Sequence, residues 1–256
     1  MGKKYMAPSV KKAFEILKAI SSSRKGAGVN KIARDLKIAK STVHGITSTL
    51  EGLGAIMRDP LTKMYTLGFT LFELGRLAYS QIDLKDLARP IMEKLMEKTQ
   101  ESVFLGVLNG DRVTILDIVE SKQDLKITSP IGTAIPLLAG ATGKVFLAFM
   151  EEEKAKEIIK KKGLTRYTEN TIIDPEKYLQ EIRRVKKNGY ATDYEEYILG
   201  VRAVVSPIKG DRHMMSALWV VGFRTSLNSD KMGALIEMTK EAAEAISRNI
   251  KDQYVE

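Results

Sequence analysis

The chain has no cysteine among its 256 residues, a single tryptophan and only two histidines. Without thiols it can form no disulfide, hold no thiolate-ligated zinc and run no cysteine chemistry, and a reducing compartment suits it. No stretch approaches the roughly 20 apolar residues of a membrane span, so no membrane partner is expected. The basic residues after Met1 have no apolar run behind them, so no secretory leader is expected, and the cytoplasm is the expected location. The histidines are His44 and His213, the latter in a polar turn, Lys209-Gly-Asp-Arg-His213. No Ser-His-Asp set, Gly-x-Ser-x-Gly turn or metal-ligating cluster stands in the sequence, so neither catalysis, a metal nor a cofactor is expected.

Charge, by contrast, is present and unevenly placed. The formal net charge is +9, and residues 1–80 carry 14 Lys and Arg against 5 Asp and Glu. Residues 81–256 hold 27 of each, so the whole excess lies in the first third. Concentration of one sign in a small segment is the footprint of a polyanion-binding module.

Apolar periodicity divides the chain the same way. Val10, Ala13, Phe14, Leu17 and Ile20 recur at steps of three and four, which predicts a helix with a core-facing stripe. A breaker-rich loop follows to Gly28, then a short helix over 30–36, a tight turn at 37–40 and a second helix over 41–53. Val43, Ile46, Thr47, Leu50 and Leu53 are its expected inward residues. Two short strands, 55–59 and 64–67, flank Pro60-Leu-Thr-Lys63 and complete the outline of a wing. Thr70-Leu-Phe-Glu73 reads as a capping box opening a helix that runs to about Gln81, with apolar surface around much of its girth. The expected domains are therefore a winged helix-turn-helix over 1–68, a linker helix over 69–83 and a larger domain over 84–256. In the last, strands are expected at 102–108, 113–120, 126–128, 189–194, 201–208 and 216–223, and helices at 84–98, 141–149, 151–162, 178–188 and 229–251. Helices against a mainly antiparallel sheet make an α+β fold.

A helix of about twelve residues set across a shorter one fits the major groove of duplex DNA. With Val43 and Thr47 inward, Lys40, Ser41, Thr42, His44, Gly45 and Ser48 face outward as short, polar or basic groups suited to base edges and phosphates. Arg58 and Lys63 on the wing can reach the flanking backbone, and Lys11, Lys12, Lys31, Arg34 and Lys37 are phosphate candidates.

These residues carry a resemblance. Ala39-Lys-Ser-Thr-Val-His44, Leu50-Glu-Gly-Leu-Gly54 and Tyr65-Thr-Leu-Gly68 resemble the N-terminal domain of the isocitrate lyase regulator (IclR) family. The resemblance continues through Leu87-Ala-Arg-Pro90, Ile131-Gly-Thr-Ala-Ile-Pro-Leu137, Ala141-Thr-Gly-Lys144 and Asn170-Thr-Ile-Ile-Asp-Pro175. It is most specific at Gly189-Tyr-Ala-Thr-Asp-Tyr-Glu-Glu196, Gly200-Val-Arg-Ala203 and Pro207-Ile208. It implies a transcriptional regulator, most often a repressor, that binds a double-stranded operator as a homodimer, often doubled to a tetramer. It implies a GAF-like C-terminal domain that binds a small-molecule effector. Gly45 departs from the arginine common at that place, so either the helix approaches DNA closely or base readout shifts to Lys40, Thr42, His44 and Ser48.

The resemblance also implies an effector pocket lined by Ala141, Thr142, Gly143, Asp193, Val201, Ala203, Trp219 and Val221. Backbone N–H groups at the start of the helix near Gly143, helped by the Thr142 hydroxyl, can hold a carboxylate. Trp219, Val221 and Ala203 stand where relatives have more polar groups, which points to an apolar or aromatic carboxylic acid. Trp219 fits an ordinary core tryptophan equally well. Gly143-Lys144 lacks the glycine at 138 that a triphosphate cradle needs. Glu196 is expected to pair with a base such as Arg202, and Lys160–Lys162 and Lys186-Lys187 to be solvated. The alternative function is an architectural protein that binds DNA without an effector.

Overall fold

Proline at the first position of a helix loses nothing, because the N–H it lacks would have no partner there, and Pro8 opens α1 (Pro8–Ser21). The computed structural model describes residues 7–23, 25–80, 83–210 and 215–253. Gln81 and His213, singled out from the sequence, lie outside the described residues. The chain divides into two compact units, Met1–Ile82 and Asp83–Glu256.

In the first unit α1 is followed by α2 (Val29–Leu36) and α3 (Lys40–Gly52). Lys37 takes the left-handed conformation at φ 55°, which turns the chain sharply enough for the Ile38 N–H to reach the Ala33 carbonyl at 3.0 Å. That conformation costs a non-glycine residue about 1–2 kcal/mol, and the apolar residues buried by bringing α2 across α3 offset it. Ile16, Ile20, Ile32, Ala33, Val43, Ile56 and Tyr65 form one buried cluster. Strands β1 (Ile56–Arg58) and β2 (Tyr65–Leu67) pair antiparallel, with Ala27 bridged to Tyr65 as a third rung. At the wing tip the Asp59 carboxylate accepts the N–H groups of Leu61 at 2.8 Å and Thr62 at 2.7 Å. Those bonds, Thr62 foremost, hold its pKa below the usual value.

Three sequence expectations fail here. The stripe of α1 sits differently: Ile16 and Ile20 are buried, whereas Val10 is 57% and Phe14 61% exposed. The helix carries two apolar ridges, and the unit covers only one of them. Leu53, 65% exposed, likewise faces outward, because α3 ends one residue before it. Thr70 does not cap α4 (Phe69–Ser80); its hydroxyl donates to the Leu53 carbonyl at 3.1 Å, and its N–H to Gly54 O at 3.3 Å. The bonding is tertiary rather than local, so α4 begins latched to the end of α3.

The second unit runs α5 (Asp83–Thr99), β3 (Ser102–Asn109), β4 (Arg112–Val119), β5 (Ala134–Pro136), α6 (Gly140–Ala148), α7 (Glu152–Lys162), α8 (Pro175–Asn188), β6 (Ala191–Tyr194), β7 (Val201–Ile208), β8 (Ser216–Phe223) and α9 (Ser229–Gln253). Six strands form one antiparallel sheet in the order β5-β4-β3-β8-β7-β6. The expected strand at 126–128 is absent; β5 takes the place beside β4 instead, pairing Val113 with Ile135. Side chains alternate between the two faces of a strand. Phe104, Ile115, Val205, Ala217, Trp219 and Val221 pack with α6 and α8. The intervening Val103, Leu105, Val204, Leu218 and Val220 are also buried, and α5 and α9 cover that side. The unit is thus three layers, helix–sheet–helix, and the fold is α+β. α8 begins three residues before the expected 178, because Asp174 accepts the Lys177 N–H at 2.8 Å and Pro175 takes the first position, and Gly189, expected in a strand, closes the helix at φ 79°.

Gly45 lies exposed in the middle of α3, with nothing within 4 Å of where a Cβ would stand. Gly45→Ala is expected to stabilise the protein by about 0.5–1 kcal/mol, since glycine in a helix interior wastes backbone entropy. A higher urea midpoint is the expected result; a lower one would contradict the free helical face.

Candidate functional site

Two places gather the residues singled out from the sequence, one in each unit. In the first, burial of Val43 and Thr47 fixes the rotation of α3, and the Thr47 hydroxyl is consumed by the Val43 carbonyl at 2.9 Å. Lys40, Ser41, His44, Gly45 and Ser48 are consequently exposed and Thr42 half-buried. Ser41, His44, Gly45 and Ser48 follow at three- and four-residue steps, so they form one stripe along the helix. Arg58 and Lys63, expected from the wing, border a groove shared with Lys31 and Arg34 of α2. The groove joins basic residues that lie far apart in sequence; α3 itself is not part of its wall. Arg58 also lies over the Tyr65 ring, 5.7 Å from its centre, which restrains the guanidinium.

In the second unit a cavity of about 250 Å³ opens between α6 and the sheet. Ala141, Thr142, Asp193, Val201, Ala203, Trp219 and Val221 line it, as expected, and Gly143 does not. A Cβ on Gly143 would fall on the Leu137 carbonyl oxygen, so that residue lets α6 pack closely behind the cavity rather than within it. Phe104, Ile115 and Ile135 complete the sheet side, and Tyr197 and Ile198 the other. Phe104 and Trp219 are directly opposite in register, their rings stacked with centres 5.6 Å apart and planes 5° from parallel. Gly106 makes room for the indole, since a Cβ there would meet Trp219 at 2.5 Å. Trp219 is therefore both core residue and cavity wall. Phe104 and Ile115 were legible as strand residues; what the sequence lacked was the pairing that sets them beside Trp219.

Asp193 is the one charged side chain lining the cavity among the described residues. It accepts the Glu196 N–H at 2.6 Å and is further held by the N–H groups of Tyr197 and Ala141. Ala141 belongs to the first turn of α6, and a Cβ on Gly140 would collide with the Asp193 carboxylate. The helix start expected to receive a ligand carboxylate is thus already faced by one of the protein's own. The Thr142 hydroxyl is committed as well, donating to Ala139 O at 3.1 Å. Burial pushes the Asp193 carboxyl above its ordinary range, opposed by those N–H donors and by Lys144.

Behind the cavity lies a buried polar knot that the sequence reading assigned differently. Glu196 pairs with Lys144, not Arg202: Lys144 Nζ stands 2.5 Å from its Oε1 and 3.3 Å from Thr192 O. Arg202 instead lies 3.8 Å from Glu195 and donates to Leu227 O at 2.9 Å. Glu195 takes a left-handed turn at φ 64°, which sends Glu196 back toward α6. Thr168 and Thr171 donate to the carbonyls of Glu195 and Glu196 at 2.6 and 2.7 Å, pinning that turn. Lys144 is fully occupied here, which removes it from any phosphate-binding role. No group of His, Asp and Glu able to hold a metal occurs among the described residues.

The chain matches two family models. Residues 9–60 match the IclR helix-turn-helix domain, and residues 77–248 the C-terminal domain of bacterial IclR transcriptional regulators. It is similar to the HTH-type transcriptional regulator KipR of Bacillus subtilis, 34% identical over 82% of this chain and 84% of the relative. Among solved structures it resembles an IclR transcriptional regulator from Alicyclobacillus acidocaldarius, with TM-score 0.80 and 26% identity over 96% of this chain and all of the other. It also shares its fold with an IclR homologue from Microbacterium hydrocarbonoxydans complexed with 4-hydroxybenzoate, with TM-score 0.76 and 22% identity over 95% of this chain and 99% of the other.

The charge on Asp193 has a consequence for stability. A carboxyl whose folded pKa exceeds its unfolded one, here ordinarily 3.8, favours the protonated folded state. Ionisation therefore costs stability above the folded value, and the cost vanishes as pH falls toward the unfolded one. Asp193→Asn removes that titration. Its stability relative to wild type should be most favourable at about pH 7 and decline toward about pH 4. Urea midpoints of both proteins across that window test this; a difference constant with pH would contradict the buried, costly charge.

Proposed function

The chain belongs to the IclR family of bacterial transcriptional regulators, and from that premise we propose that it is a repressor whose grip on its operator is set by a small apolar or aromatic carboxylic acid. It is a DNA-binding regulator with a C-terminal effector-binding domain; the residue roles and the effector class are the proposal. The observation that carries it is an apolar cavity whose lining has Asp193 as its one charged group among the described residues. A cavity of about 250 Å³ lies just below the roughly 300–1,000 Å³ of common ligand pockets, which favours a single ring or short branched acid. The 4-hydroxybenzoate bound by the Microbacterium homologue is of that class, which supports the reading. A ligand carboxylate beside Asp193 places two like charges together, and one shared proton relieves the repulsion. The raised pKa of Asp193 suits it to supply that proton.

On the DNA side, Lys40, Ser41, Thr42, His44 and Ser48 are the proposed groove-facing residues, with Arg58 and Lys63 on the flanking backbone. The free space around Gly45 allows close approach of α3 to the duplex. The exposed apolar ridge of Val10 and Phe14 and the exposed Phe69, Phe72, Leu74 and Leu77 of α4 support assembly as a homodimer, with a tetramer as a further step. A dimer sets paired recognition helices about 34 Å apart, one helical turn of DNA. Effector binding acts by linkage: a preference of about 1–3 kcal/mol for one arrangement of the dimer changes operator affinity 5–150-fold. The site of action is where the chromosome is, in the cytoplasm. An architectural role without an effector is the competing reading, and the cavity is the observation against it.

Thr42→Ala and His44→Ala are expected to weaken operator binding more than binding to unrelated duplex, measured at equal salt because phosphate contacts dominate the latter. Equal losses on both DNAs would remove α3 from base readout. In a thermal-shift screen of small carboxylates, aromatic and branched apolar acids are expected to raise the melting temperature, more strongly at lower pH. Stabilisation by two- and three-carbon polar acids alone would reject the effector class. Operator binding that no stabilising acid alters would favour the architectural reading.

A further inference from the structure

Beside the β6–β7 side of the sheet, between the end of α8 in one helical layer and α9 in the other, lies a second concavity, of about 500 Å³, that shares no residue with the first. Its walls are the C-terminal end of α8, the end of β7 and one face of α9. Lys240, Glu244, Ser247, Arg248 and Lys251 recur along α9 at three- and four-residue steps and all face it. Lys186 and Lys187 close it from α8, and Lys209 from the end of β7. Lys209 lays its ammonium over the Phe149 ring, 5.4 Å from the centre, which leaves five cations and one carboxylate around the cleft, in a stretch of chain, residues 81–256, whose Lys and Arg balance its Asp and Glu at 27 each. A generally basic surface is not the cause. Among the described residues, Lys240 has an ion-pair partner, Glu237 at 3.3 Å, and the other four cations have none. The reading of Lys186-Lys187 as plain solvated surface missed this convergence, because the other three cations come from α9, 53 to 65 residues further along.

A second observation points inward. Ser206 lines the cleft, is 1% exposed, and its hydroxyl has no hydrogen-bond partner. A buried hydroxyl without a partner costs about 1–3 kcal/mol, so such groups generally belong with something that completes them. Its neighbour Ser247 is already spoken for, accepting the Lys209 N–H at 2.8 Å and donating to Ala243 O at 2.6 Å.

We propose that this cleft is a second ligand site, for a small molecule bearing adjacent phosphoryl groups, with the lysines as point charges on the phosphoryl oxygens and Ser206 as a donor at the floor. Lysine clusters suit phosphoryl oxygens, which accept from several directions, better than they suit a single planar carboxylate. The cleft is recessed, which fits a compact polyanion rather than the long flat track a duplex requires. Val205 lines the first cavity and Ser206 this one, so consecutive residues of β7 face the two ligands from opposite sides of the sheet. Binding here is thereby positioned to alter the response to the first effector.

The test is calorimetric titration of the full-length protein with inorganic pyrophosphate at low ionic strength. Wild type is expected to bind one pyrophosphate per chain, and Lys186→Glu combined with Lys251→Glu to weaken that step at least tenfold. Ser206→Ala is expected to weaken it several-fold. Lys40→Glu, in the basic N-terminal unit, is expected to retain it. Equal binding by wild type and the double variant, or loss of the step in Lys40→Glu, would overturn the proposal. So would citrate binding as tightly as pyrophosphate, or a double variant that loses duplex DNA as severely as it loses pyrophosphate.

Discussion

A sheet buried on both faces must be covered twice, and this requirement organises the larger unit. The central strands β3, β8 and β7 carry apolar side chains pointing both ways, so one helical layer cannot satisfy them. α5 and α9 cover one face. On the other, α6 is short and its packing is set by glycine: Gly143 admits the Leu137 carbonyl, and Gly140, at φ 55°, leaves room for Asp193. What the helix leaves uncovered between its first turn and the strands is the 250 Å³ cavity. The proposed ligand site is therefore a gap in a layer, walled by residues whose burial the sheet demands in any case.

Electrostatics within that gap work against simple anion capture. Helix starts favour negative charge, and here a protein carboxylate already occupies that favourable field. Nearby, Lys144 and Glu196 neutralise each other in a buried contact held by two threonines from the 168–171 loop. Breaking one half of such a pair leaves an uncompensated buried charge, which is far more costly than the pair's net contribution. The knot thus fixes the turn that carries Asp193 and Tyr197, giving the cavity a rigid polar corner and apolar walls elsewhere.

Much of this was legible in the sequence, and most of the failures share a cause. Helix and strand existence followed from periodicity and turns, and Pro8 marks a real boundary, whereas Asp174 and Pro175 were read only as part of the family motif and the start of α8 was set three residues late. The charge asymmetry and the outward stripe of α3 required no tertiary knowledge. The eight expected pocket residues, seven of which line the cavity, were named through family resemblance rather than derived. Two misses were of helix face and extent, the exposed Val10 and Phe14 of α1 and the outward Leu53 past the end of α3; the others were contacts between distant segments. Thr70 looked like a local cap yet bonds Leu53; Glu196 looked like a partner for Arg202 yet finds Lys144, 52 residues away. Ile127 lost its strand because β5 offered β4 a better-placed edge. Lys186-Lys187 could not reveal a cleft whose other cations lie on α9. One-dimensional patterns report which face is buried, not what is across from it.

The latch between α3 and α4 has a mechanical meaning. With the Thr70 hydroxyl on Leu53 and its amide on Gly54, the last turn of one helix and the first turn of the next are joined by two hydrogen bonds across a short strand pair. The joint has little freedom to swivel. Rotation of the first turn of α4 is thereby passed to the last turn of α3, the helix proposed to enter the groove.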